Sequence, residues 1–172
     1  MGIYSSNMAT IKIIGTAKKV HTRSIRSAAN FFCDHLLKRL SKTVYVEIKL
    51  KKNLYKNTRC FGFATWTDDE ARNHRRFEIE MDADLGPVFL FRTLAHELVH
   101  VRQYARKQLI DMQYGSYQKW HGVMFNEHMV EYKKLPWEIE ATQLEKELYN
   151  LWKEHLERQG EKGEKVGYRK TT

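Results

Sequence analysis

The sequence predicts a single α+β domain. Three observations carry that expectation: an amphipathic helical stretch near the start, a run of short strand-like segments with polar gaps, and two long helical stretches near the end. At 172 residues, with 42% hydrophobic and 12% aromatic side chains, the chain has enough apolar material for a substantial core without disulfides.

In order, a short polar start leads to a candidate strand at residues 11–14. Residues 22–41 then place Ile25, Ala28, Ala29, Phe32, Leu36 and Leu40 on one helical face, which predicts a first amphipathic helix. Three strand-like segments follow, at 44–50, 60–66 and 76–81, separated by Asn53, Asn57, Asp68, Asp69 and Asn73. Short connections favour an antiparallel meander, giving a small, mostly antiparallel sheet of three to four strands. Phe77-Glu78-Ile79-Glu80-Met81 alternates strictly, as a strand with one wet face should.

A second helix is expected at about 87–109. Pro87 stands at its start after Gly86, and Leu90, Leu94, Leu98, Val101 and Ala105 form its apolar stripe. An irregular stretch with Gly115, Tyr117, Trp120, His121 and Gly122 comes next. Pro136 then opens a long helix over 136–158, whose apolar side holds Ile139, Leu144, Leu148, Leu151, Trp152 and Leu156. From Gly160 the composition turns to glycine and charge with nothing to bury, so the expected division is a domain at 1–159 and a flexible tail at 160–172.

Composition narrows the function classes. No apolar run approaches the ~20 residues of a membrane span, and no basic-then-apolar leader opens the chain, which predicts a soluble cytoplasmic protein. Cys33 and Cys60 lie far apart without a CxxC pair, which fits a reducing compartment and argues against a cysteine metal site. The net charge of +9 is uneven. Residues 1–59 hold 13 Lys and Arg against Asp34 and Glu47, a net +11, while residues 60–172 hold 17 against 19, a net −2. A basic face of that kind suits either open solvent or non-specific contact with nucleic-acid phosphates.

The chemistry is concentrated in His96-Glu97-Leu98-Val99-His100. Positions i and i+4 share a helix face, so both imidazoles can reach one Zn²⁺ while the adjacent Glu97 meets its water as general base. A catalytic zinc usually takes a third protein ligand and leaves one position open. Two residues qualify here. Glu138 lies in the first turn of the helix that Pro136 opens, with small Ala141 nearby to let helices approach. His121, in the segment Trp120 to Phe125, offers an imidazole that zinc accepts equally well.

At this point the chain resembles the SprT-like zinc metallopeptidases, especially small phage-encoded and bacterial members with a zincin fold. The resemblance spans roughly residues 60–150. It rests on His96 to His100 with Val101-Arg102-Gln103-Tyr104-Ala105-Arg106 after it, on the tryptophan-glycine segment, and on Pro136-Trp137-Glu138-Ile139-Glu140-Ala141. It implies a zincin-like fold in which the motif helix lies beneath the sheet and a second helix completes the site. One branch, SprT and Spartan, takes a third histidine from a segment like His121-Gly122-Val123-Met124-Phe125. The gluzincin-like branch takes a glutamate from one like Glu138-Ile139-Glu140-Ala141, and the phage-like resemblance favours this second set: His96, His100 and Glu138, with Glu140 outside it.

The expected activity is therefore zinc-dependent peptide hydrolysis, with a peptide or protein as substrate. Tyr104, His121 and Tyr132 are candidate donors to the oxyanion. A peptide would lie along a sheet edge, for which strand 76–81 is the expectation, putting Glu78 and Glu80 beside the cleft. Two alternatives stand next to it: a basic nucleic-acid-associated protein with a structural zinc, and a peptidase recruited to DNA through its basic first third.

Overall fold

The computed structural model describes residues 8–68, 73–112 and 116–160. Asp69, Gly115 and the tail 161–172 lie outside the described residues. The elements run β1 (Thr10–Ile14), α1 (Thr22–Leu37), β2 (Tyr45–Lys51), α2 (Leu54–Thr58), β3 (Gly62–Trp66), β4 (Arg76–Asp82), α3 (Pro87–Ala105), β5 (Leu109–Asp111), β6 (Tyr117–Trp120), β7 (Val123–Asn126) and α4 (Pro136–Gly160). The fold is α+β, with four α-helices and two sheets among the described residues. No described helix is long and apolar enough to cross a membrane.

The main sheet has the order β1-β2-β4-β3. Its inner side chains, Val46, Ile48 and Leu50 on β2 and Phe77, Ile79 and Met81 on β4, are buried and face the helices. α1, α3 and α4 share that side, and their apolar stripes join the strands in one continuous core. The outer side is wet and carries a charge ladder. Lys12 pairs with Glu47 at 2.7 Å, Lys49 with Glu78 at 2.7 Å, and Lys51 with Glu80 at 3.4 Å.

Two expectations about this sheet are corrected. β1, β2 and β4 run parallel, and only β3 is antiparallel, so the sheet is mostly parallel. The reason is that α1 forms a crossover between β1 and β2, and the β3–β4 hairpin folds back so that β4 pairs with β2. Strand 76–81 is accordingly internal, flanked by β2 and β3, and Glu78 and Glu80 point away from the helix side. Strict alternation reports one wet face, and in a two-layer sheet an internal strand has one as readily as an edge strand.

Helix ends also shift. α1 stops at Leu37, where Lys38 takes a φ of 52° and the chain tightens into a 3₁₀ turn at Lys38–Thr43. α3 stops at Ala105, shortly before Lys107 at φ 57°; both residues leave the helical region for a positive φ. The stretch expected to be irregular instead forms a second, antiparallel sheet of order β5-β6-β7. A small cluster of Leu109, Leu135 and Trp137, with Trp120 and Phe125, seats it beside the start of α4. Both cysteines are free, Cys33 buried and Cys60 exposed.

Candidate metal centre

Helix α3 carries the motif where the sequence places it. Gly86 precedes the helix, Pro87 occupies its first turn, and Leu90, Leu94, Leu98, Val101 and Ala105 are all buried. That stripe fixes the rotation of α3 and turns His96 and His100 towards α4. α4 begins at Pro136, so Glu138 falls in its first turn and projects at α3. Ala141, fully buried one turn on, leaves the space that lets the two helices close.

The result is a convergence of three donors. His96 Nε2 and His100 Nε2 are 3.2 Å apart. Glu138 reaches His96 Nε2 with one carboxylate oxygen and His100 Nε2 with the other, each at 3.3 Å. A tetrahedral zinc with bonds of about 2.0–2.1 Å requires donor-to-donor edges of about 3.3 Å. Among the described residues these three form the group of His, Cys, Asp and Glu side chains able to share an ion. His121 is outside it: it sits exposed at φ 45° on the β6–β7 turn, its ring against Trp120.

Electrostatics at the centre favour positive charge. Burial opposes protonation of His96, yet the carboxylates of Glu138 and Glu145 prevail and push its pKa up to about 10. His100 shifts the same way, burial again being outweighed by Glu138 and Glu97. Burial also works against ionisation of Glu138, but contacts from His100, His96 and Tyr132 hold it at about 2. A pair of nitrogens and a carboxylate that draw in a proton would receive a divalent cation on the same atoms. The donor set, two imidazoles and one carboxylate, is one that zinc takes.

Glu97 is 5% exposed, and there burial prevails. Burial raises its pKa, against the pull of His100 and His96. Its carboxylate lies beside the first residue of β3, because a Cβ on Gly62 would come within 3.2 Å of Glu97 Oε1. β3, one of the two edge strands of the main sheet among the described residues, therefore runs past Glu97. Of the candidate oxyanion donors, the Tyr132 hydroxyl hydrogen-bonds to Glu138, and Tyr104 packs on Trp66 with ring centres 4.8 Å apart.

Four residues that the sequence reading left unassigned support this centre: Gly62, Arg92, Gln103 and Glu145. His96 Nδ1 is 3.0 Å from Glu145 Oε2, and Arg92 holds the other oxygen of that carboxylate. His100 Nδ1 is 2.8 Å from Gln103 Oε1. Spacing held the signal for three of them. Arg92 precedes His96 by four residues, Gln103 follows His100 by three, and Glu145 follows Glu138 by seven, each on its partner's helix face. Comparison with known protein families, with curated proteins and with solved structures gave no match.

Proposed function

We propose that the chain is a zinc-dependent peptide hydrolase of the SprT-like kind, with His96, His100 and Glu138 as ligands and Glu97 as general base. The observation that carries the reading is the convergence of the two imidazole Nε2 atoms, 3.2 Å apart, on the Glu138 carboxylate, whose two oxygens lie 3.3 Å from one ring each, with a buried carboxylate next to them. When bound, zinc would polarise the scissile carbonyl and acidify a water.

The remaining work belongs to the protein. Glu97 takes a proton from the attacking water on a carboxylate oxygen and returns it to the leaving amine nitrogen. Burial, which lifts its pKa, strengthens it as the base that takes up that proton. The open edge of β3 offers backbone groups to an extended peptide, and it replaces strand 76–81 as the substrate edge. Three protein donors instead of four among the described residues fit an open site better than a closed structural one.

Glu97→Gln should abolish hydrolysis of a protein substrate while zinc content stays near one per chain, by metal analysis and a proteolysis assay. A Gln variant as active as the parent defeats the mechanism. Glu138→Ala should lose zinc and His121→Ala should keep it; the reverse result transfers the third ligand to His121.

A second activity has its own support. Lys38, Arg39 and Lys42 gather on the 3₁₀ turn after α1, where with Asp34 they line a cleft of about 610 Å³. A cationic cleft of this kind suits a phosphate backbone without sequence preference, and would recruit the hydrolase to nucleic acid.

A further inference from the structure

The two imidazoles are useful to a cation only if both present an Nε2 lone pair, and side chains behind them decide that. A neutral imidazole carries its proton on one nitrogen, and the partner of Nδ1 selects which. For His96 that partner is a Glu145 oxygen, which as a carboxylate can only accept. His96 must then carry its proton on Nδ1.

For His100 the partner is the Gln103 amide, which could face either way. Its surroundings settle the orientation. The nitrogen end lies 3.0 Å from the Trp137 carbonyl oxygen and 2.9 Å from Glu140 Oε2, both acceptors. The amide NH₂ must point there, so its oxygen faces His100 and the proton of that ring also rests on Nδ1. Gln103 is fully buried. Arg102 pairs with Glu140 in turn and holds that carboxylate in place.

The same amide does a second thing. Trp137 precedes Glu138, so a single side chain grips the backbone next to the third donor and the ring of the second. Gln103 thus ties the first turn of α4 to α3 at the height of the ion. We propose that Gln103 and Glu145 are positioning residues for the metal centre, fixing the protonated nitrogen of each ring, and that Gln103 also sets the distance from Glu138 to the two histidines. This rests on the metal-site reading given above.

The test is zinc affinity, measured by competition with a chromophoric chelator, free of any activity assay. Gln103→Leu and Glu145→Ala should each raise the zinc Kd by about 10- to 100-fold, the usual consequence of losing such a partner. Glu145→Gln keeps an acceptor for His96 and should recover most of the loss. A Kd for Gln103→Leu and Glu145→Ala within about twofold of the parent overturns the inference. Because Gln103→Leu removes a buried amide and could fail to fold, ¹⁵N NMR of the zinc-loaded parent provides a second readout. Both rings should show the proton on Nδ1, and a proton on Nε2 of either ring overturns the assignment. His100→Ala separates the two levels: if it too binds zinc like the parent, the metal-site reading itself falls. If it loses zinc while the Gln103 and Glu145 variants do not, only the positioning role falls.

Discussion

At Gly62 a missing side chain sets how close the edge strand comes to the motif helix. A Cβ there would stand 2.8 Å from Thr93 Cγ2, 3.1 Å from the Glu80 carbonyl oxygen and 3.2 Å from Glu97 Oε1. Two of those neighbours, a β-branched side chain and sheet backbone, have little freedom to retreat. Gly62→Ala should therefore cost about 1–3 kcal/mol by urea unfolding, as overpacking does, and should slow hydrolysis by moving Glu97; parent-like stability would show that β3 stands further off. The same residue shows where sequence reading stops. His96, Glu97 and His100 are legible because one helical turn brings them together by local geometry alone. Glu138 was legible as a candidate, through Pro136 and Ala141, and the resemblance favoured it over His121; the packing of α3 on α4 is what brings it to the two histidines. Gln103, Glu145 and Gly62 act across elements, and a spacing that fits two partners names neither until the elements are placed.

Among elements, the helices were the more readable. Their periodic stripes located α1, α3 and α4 to within a few residues, since each buries a long apolar face. The sheet was read correctly in its strands and wrongly in its pairing: alternation is a property of one strand, whereas direction and order depend on the crossover through α1. β5, β6 and β7 were missed because strands of three or four residues are too short to show a period. The α3–α4 contact is where packing and chemistry meet. Ala141 is fully buried between the helices, and Glu138 lies one turn earlier on the same face. Ala141→Leu should force the helices apart, costing about 1–3 kcal/mol by thermal or urea unfolding. Zinc affinity should fall in the same variant, because the Glu138 oxygens move off their 3.3 Å edges with the histidines. Loss of stability with unchanged zinc affinity would mean that the first turn of α4 is held by other contacts, Gln103 foremost.

For the whole molecule, charge is the property that sequence alone could count and only the fold could distribute. Part of the +11 in residues 1–59 is spent within the sheet, where Lys12, Lys49 and Lys51 pair with Glu47, Glu78 and Glu80. Those lysines have carboxylate partners already and are poor candidates for phosphate. Lys38, Arg39 and Lys42 are different: all are exposed, with no ion-pair partner among the described residues, and they share one cleft. Binding to duplex DNA should then be sequence-independent and steeply weakened by salt. Each phosphate contact contributes about 0.9 to the slope of log K against log salt, so replacing all three by Gln should lower the slope's magnitude by about 2 to 3. Fluorescence anisotropy across a salt series measures this, and peptide hydrolysis without DNA should stay at the parent's rate. An unchanged slope would mean that the cleft takes no phosphate and that these cations serve solubility. A reduced slope with unaltered hydrolysis would show that the two activities occupy separate faces, one built by α1 and its 3₁₀ turn and the other by α3, α4 and the edge of β3.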